Sequence, residues 1–310
     1  MGIKSKIVNE FNKGGILGVL LATIKLPIKR IKSRILSFYL DNSKPVYGLN
    51  KTEKRSKKVT VSLTSYPARF PTIHICIKSL LRQSYKPDRI VLYLGDDSPE
   101  KAVSQNILQL IPFGLEIKHR PDNLKPHKKY IYAMQEYPDD IIITVDDDMM
   151  YGKDLILSLI SSYQKYPDAV SARRTHKLLG NGEIHTLWTK EKKPSMQLLA
   201  GGGGGVLYPP HCLPSVAFDT ELVKKLCLDI DDLWLKVMQI MNNVMIVYVH
   251  AKGLKANYIQ IQKAQSRDSS ESRKYFIETD NGYVPKVDTY IAQIQEHFSI
   301  NLAEYGLISK

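Results

Sequence analysis

Short apolar runs alternate with helical periodicity over the first half of the chain's folded body. Lys58–Leu63, Arg89–Leu94 and Leu115–His119 are β-rich runs, each read as a strand. Ile73, Cys76, Ile77, Leu80 and Leu81 recur at helical spacing and predict a helix over 71–84, ended by Pro87. Ser98-Pro99 predicts a second helix start, with serine as cap and proline in the first turn. Further helices are expected over 127–137 and 152–165. Ile141–Val145 is largely apolar, as in a strand buried on both faces of a parallel sheet. Strand and helix alternate throughout, so the fold is expected to be α/β. Ligands of such sheets bind beyond the carboxyl ends of the strands. Three predicted strand ends carry polar groups: Thr64 and Ser65, Asp96 and Asp97, and Asp146–Asp148. They would converge on one rim.

The region before this body reads differently. Residues 1–58 hold fourteen Lys/Arg against three acids, which is +11 of the chain's net +13. The remainder is close to neutral, so a basic stripe across a folded nucleic-acid-binding domain is absent and no nucleic acid is expected. The apolar run Ile16–Ile24 is too short to span a bilayer. It also lacks the cleavage site of a signal peptide. Lys25, Lys29, Arg30, Lys32 and Arg34 alternate with Leu26, Ile28, Ile31, Ile35 and Leu36. That pattern suits a helix lying in the membrane surface through residues 1–40. It equally suits an amphipathic helix packed on the body or on another subunit. Residues 41–58 read as a linker. The expected divisions are a basic arm with its linker at 1–57, a catalytic domain at 58–265, and a polar segment with a helix at 266–310.

Cys76, Cys212 and Cys227 are odd in number and far apart, with no CxxC pair. They read as reduced, buried thiols of a cytosolic protein. No glycine-rich phosphate loop follows a strand in the first half, which disfavours dinucleotide enzymes and P-loop NTPases.

Asp146-Asp147-Asp148 follows a buried strand, where like charges repel and raise one another's pKa. A divalent cation would relieve that conflict, and hard oxygen ligands select Mg²⁺ or Mn²⁺. In an extended segment Asp146 and Asp148 would face one ligand, leaving Asp147 dispensable. The triplet also fits a solvated acidic turn.

Several motifs then occur in a fixed order. They are a strand, Thr-Ser-Tyr-Pro-x-Arg at 64–69, Ser-Leu-Leu-x-Gln-Ser at 79–84, a strand ending near Asp96-Asp97, Lys-Pro-His-Lys-Lys at 125–129, and Ile-Thr-Val-Asp-Asp-Asp at 143–148. Over about residues 58–240 this order resembles the bacterial GT-A-fold glycosyltransferases, family 2-like, of capsule and lipopolysaccharide synthesis. The resemblance implies a GT-A-like, Rossmann-type, mostly parallel sheet flanked by helices. It implies transfer of a sugar from a nucleotide-diphosphate sugar, a UDP-sugar, to a saccharide or lipid-linked saccharide acceptor. The location expected from the thiols and the basic arm is cytoplasmic, peripheral on the inner face of the cell membrane. By the same resemblance Thr64, Ser65, Arg69 and Asp96 or Asp97 hold the nucleoside, and Asp146 and Asp148 hold ribose and metal. Lys128 and Lys129 would lie near the nucleotide, or form a solvated first helical turn.

Downstream, Gly201–Gly205 lies between apolar flanks, which suggests backbone passing close to a ligand or another chain. Gly203 and Gly204 are taken as its donor-contacting members. Trp188 and Tyr208 could stack on sugars or pack in the core. Asp231 and Asp232 open a helix, where the macrodipole also favours carboxylates. In the resembling enzymes the second acid is the base of an inverting displacement, which implies Asp232, with Asp231 orienting it. His250 follows a strand and is either a third metal ligand or structural. Asp288 matches a late motif only weakly. The competing functions are a sugar nucleotidyltransferase and a non-enzymatic membrane-surface scaffold. The glycine-free Thr64–Arg69 loop disfavours the first, and the two acidic clusters disfavour the second.

Overall fold

The computed structural model describes residues 30–177, 187–188, 191–250, 258–261, 276–279 and 282–305. The apolar run Ile16–Ile24, the arm before residue 30, the Ser266–Arg273 segment and the Trp188 side chain lie outside the described residues. Helix α1 spans residues 30–42. The body follows with strand β1 (Val59–Thr64), α2 (Phe70–Leu81), β2 (Arg89–Leu94), α3 (Gln105–Leu108), β3 (Leu115–His119), α4 (Lys128–Glu136) and β4 (Ile141–Thr144). After these come β5 (Met149–Tyr151), α5 (Leu155–Lys165), β6 (Val170–Ala172), β7 (Thr175–Lys177), β8 (Leu187–Trp188) and β9 (Leu198–Ala200). The chain continues through β10 (Val206–Tyr208), α6 (Thr220–Leu226), α7 (Asp231–Met241), β11 (Ile246–Tyr248), β12 (Tyr258–Gln260), the hairpin β13 (Phe276–Thr279) and β14 (Gly282–Pro285), and α8 (Lys286–Phe298).

The central sheet has seven strands in the order β11-β6-β10-β4-β1-β2-β3. Its pairings are parallel except for those of β10. This is the mostly parallel α/β sheet that the alternation of elements predicts. Strand alternation sends side chains to two cores. Val59, Val61 and Leu63 of β1 and Ile141 and Ile143 of β4 pack toward α2 and α5. Val91 and Tyr93 of β2 and Ile142 of β4 pack toward α4 and α7. The second core also takes Ile291 and Ile294 of α8, so the C-terminal helix packs into the body. The three cysteines are free and buried.

Three local expectations change. Ser98-Pro99 does not cap a helix: Ser98 Oγ donates to Asp97, and a short 3₁₀ turn at Glu100–Ala102 ends where Val103 and Ser104 become extended. Residues 41–58 lie strapped along the body instead of hanging as a linker. Gly48 N donates to Phe113 O, Asn50 N to Pro87 O, and Arg55 pairs with Asp88 at 3.2 Å. The chain also turns at Asp147–Asp148, so the extended-strand geometry that would point Asp146 and Asp148 one way does not form.

Ile143 is fully buried between β1 and β10. Ile143→Ala is expected to lower unfolding free energy by about 2–5 kcal/mol in urea titrations, through lost transfer energy and the cavity left behind. A change below about 1 kcal/mol would mean that the strand is not central.

Candidate active site

The six parallel strands present their carboxyl ends on one rim. Because β10 runs antiparallel, its amino end lies there too, and this brings Gly201–Gly205 over the end of β4. Neither the alternation of elements nor the glycines themselves reveal that reversal.

Lys129 stands at the middle of this rim. It is 4% exposed, and its Nζ lies 2.7 Å from Asp146 Oδ1 and 2.9 Å from Asp231 Oδ2. Burial alone would lower its pKa, but Asp146, Asp231 and Asp232 outweigh that and hold it well above the ordinary lysine value. It sits in the first turn of α4, where the helix dipole opposes a cation. The acids therefore decide its position. The solvated-turn alternative fails for Lys128 as well, which is 1% exposed. Lys128 Nζ donates to Asn123 and lies 3.6 Å from Asp97. Burial lowers its pKa, with Asp97 and Asp96 opposing.

The acidic triplet fans out. Asp146 faces Lys129 and the glycines. Asp147 accepts from Ser65 Oγ at 2.5 Å, and burial pushes its carboxyl up to about 6. Asp148 lies 3.4 Å from Arg69 Nη1 and accepts from Gln260 Nε2 at 3.3 Å. Burial raises its pKa, and the charge of Asp146 adds to that. Arg69 Nη1 is buried and has no hydrogen-bond partner among the described residues. Tyr151 Oη braces the segment by accepting from Asp146 N at 2.9 Å.

Gly202 N donates to both carboxylate oxygens of Asp232, at 3.1 and 3.2 Å. A Cβ on Gly202 would sit 3.1 Å from Lys129 Nζ and 3.2 Å from oxygens of Asp146 and Asp232. Gly203 has Asp146 Oδ2 similarly close, whereas Gly204 packs against the Arg174 backbone. Thus Gly202, which no motif in the sequence distinguishes from its neighbours, is the glycine that meets both Asp146 and Asp232. Asp231 and Asp232 occupy the first turn of α7. Lys129 overcomes burial and holds Asp231 below the usual carboxylate range. Burial first, then the charge of Asp231, pushes Asp232 up to about 7.

The remaining expected residues are placed as follows. Thr64 Oγ1 donates to Tyr93 O, tying the ends of β1 and β2. Asp96 and Asp97 are exposed beyond β2, and Asn123 donates to Asp97 at 3.0 Å. Tyr208 is buried in the core. His250 is exposed beyond β11 with its ring 6.3 Å from that of Tyr248, and none of its described contacts reaches the triplet. Arg174, whose Nη1 lies 3.5 Å from a Cβ on Gly203, and Gln260 belong to no motif in the sequence and join the site through the fold.

Residues 60–215, half of the chain, match the family model described as Glycosyl transferase family 2. The chain belongs to glycosyl transferase family 2. It is a glycosyltransferase. None of the curated proteins compared with the chain matches it. Among solved structures, it is similar to a mannosyltransferase from Pyrobaculum calidifontis in complex with GDP-Man and Mn²⁺. That match has 10% identity and a TM-score of 0.48, and covers 91% of this chain and 75% of the other. It is also similar to TarS 1–349 of S. aureus in complex with UDP-GlcNAc, with 14% identity, a TM-score of 0.42, and coverage of 79% and 74%. A third is a glucose-1-phosphate thymidylyltransferase from Bacillus anthracis, with 13% identity, a TM-score of 0.38, and coverage of 66% and 89%.

The raised pKa of Asp232 fixes a stability slope. Between the ordinary carboxylate value and about 7 the native state holds a proton that the unfolded chain has released. Its contribution to stability therefore falls as pH rises through that window. Asp232→Asn is expected to flatten the fall, as read by urea midpoints from pH 4 to pH 8. An unchanged slope would assign the proton elsewhere.

Proposed function

We propose that this enzyme moves a sugar from a UDP-sugar to a hydroxyl of a saccharide or lipid-linked saccharide, with inversion, in bacterial surface polysaccharide synthesis. Asp232 carries the proposal. It is a half-buried carboxyl pushed up to about 7, and it shares a small space with Gly202 and with the Lys129 that binds Asp146. A base tuned near neutrality can take the proton of an acceptor hydroxyl as that oxygen attacks the anomeric carbon. Asp231 stays ionised on Lys129, and its charge keeps Asp232 basic. The bond from the anomeric carbon to the diphosphate breaks on the opposite side, and the proton remains on Asp232.

Thr64, Ser65, Arg69, Asp96, Asp97 and Lys128 are the proposed nucleotide contacts, with Gly203 at the sugar. Arg69 Nη1 supports this: it makes no hydrogen bond among the described residues and meets Asp148 at a long 3.4 Å, so a phosphate oxygen would satisfy it. Asp146 and Asp148 are proposed to hold a divalent cation once their side chains turn to a common point, since here Asp146 pairs with Lys129 and Asp148 with Arg69. Both are hard oxygen donors, Asp148 is held among the described residues by the long contacts to Arg69 and Gln260, and the repulsion that helps raise Asp148 would be relieved. Mn²⁺ or Mg²⁺ bound there would supply counter-charge to the leaving diphosphate. His250 is kept as a proposed third ligand. The proposed working place is the inner face of the cell membrane, reached through residues 1–40. Among the described residues, no helix is long and apolar enough to cross a membrane.

UDP with Mn²⁺ is expected to raise the melting temperature by roughly 5 °C at a hundredfold excess over Kd. Asp148→Asn should abolish the shift. Asp232→Asn should keep it while lowering kcat by about 10²–10⁴. Near-wild-type turnover in Asp232→Asn would overturn the assignment of the base.

A further inference from the structure

Helix α1 has two unlike faces. Ser33, Leu36, Ser37 and Leu40 turn toward the body, and Leu40 enters the core beside α2. The other face leaves Ile31, Ile35, Phe38 and Tyr39 exposed by 55%, 65%, 72% and 58%. These positions recur at helical spacing and form one apolar stripe. Arg30, Lys32 and Arg34 border it and are exposed. An apolar stripe edged by cations matches an anionic bilayer, with the side chains entering the acyl boundary and the cations at the headgroups.

The inner face of the same helix reaches the acidic triplet through two hydrogen bonds. Ser33, 2% exposed, donates from Oγ to Gln260 O at 2.6 Å. Gln260 Nε2 in turn donates to Asp148 Oδ2 at 3.3 Å. Strand β12, which carries Gln260, pairs with β5 immediately after the triplet, and Ile261 N donates to Asp148 O at 2.7 Å. Ser37 Oγ contacts Met150 Sδ of β5 at 3.4 Å. The far end of α1 is anchored on α2, where Asp41 meets His74 at 2.7 Å and its carbonyl accepts from Lys78. Helix α1 therefore clamps the strand pair that holds Asp148.

We infer that the Ile31–Tyr39 face of α1 docks on anionic bilayers, and that docking tightens the Ser33–Gln260–Asp148 connection. This rests on the reading of Asp148 as part of the donor site and adds regulation to it: the site is set when the enzyme lies on the surface that carries its acceptor. The partner is the lipid surface itself. A bilayer is favoured over a second copy of this chain because the cations bordering the stripe would face one another across a symmetric self-contact.

The test uses the full chain and two vesicle types, phosphatidylcholine alone and phosphatidylcholine mixed with phosphatidylglycerol. Wild type should sediment with the mixed vesicles only, and less so as salt rises. Ile35→Asp with Phe38→Asp should reduce binding by about tenfold or more. Amide exchange at Asp148–Tyr151 and Tyr258–Ile261 should slow several-fold on vesicles in wild type. Ser33→Ala should bind vesicles as wild type does but lose that slowing. Equal binding by the double variant would overturn the docking face. A wild-type dimer that the double substitution dissolves, with no vesicle binding, would overturn it in favour of self-association. Slowing that persists in Ser33→Ala would overturn the coupling. None of these readouts needs a nucleotide, so the melting shift with UDP and Mn²⁺ in vesicle-free protein judges the donor-site reading separately.

Discussion

The ammonium of Lys129 holds the rim of this enzyme together. It lies where water scarcely reaches, at the start of a helix whose dipole opposes it, and only its carboxylate partners justify its charge. Asp146 comes from the end of β4 and Asp231 from the start of α7, so one cation ties the donor side of the rim to the side carrying the proposed base. A buried pair of this kind adds little net stability relative to an apolar replacement, but removing one partner is costly. Its effect is on geometry: it fixes how far α7 stands from β4. The pair also divides two adjacent aspartates into an ionised neighbour and a carboxyl titrating near neutrality. Two like acids with separated pKa values can take separate roles.

The rest of the site manages the remaining negative charge. Asp147 is turned away onto Ser65, and Asp148 toward Arg69 and Gln260. The glycine segment passes over Asp146 so closely that a Cβ at Gly202 would press on Lys129, Asp146 and Asp232. Its backbone N–H satisfies Asp232 without adding charge. In that way the loop can come close to the acids without competing for the lysine.

Much of the sheet is legible in the sequence because its strands are continuous apolar runs bounded by turn residues. Arg89–Leu94 and Leu115–His119 form as expected. The convergence of Ser65, Arg69 and the triplet follows from parallel topology. The reading falls short where pattern and environment part. A lysine-rich first turn looks the same whether it is solvated or buried against acids, so Lys129 carried no signal of its own. Strand β10 has only three residues and follows a glycine run, so neither length nor periodicity announces its reversed direction. The segment 41–58 has a linker's composition, yet its Gly48 and Asn50 N–H groups donate to Phe113 and Pro87 of the body. Gln260 contacts Asp148 across a two-strand pair that no local pattern encodes.

The central claim is that one buried cation couples the two acidic clusters. A double-mutant cycle on unfolding free energy with Lys129→Met and Asp231→Asn measures that coupling directly. Lys129→Met should destabilise strongly, by about 3–5 kcal/mol, because it leaves Asp231 buried without its cation, and Asp231→Asn should cost less, because Asp146 still pairs with Lys129. The double variant should recover part of this loss, giving a coupling energy of about 1–3 kcal/mol. Additive losses, with no coupling beyond about 0.5 kcal/mol, would contradict the account.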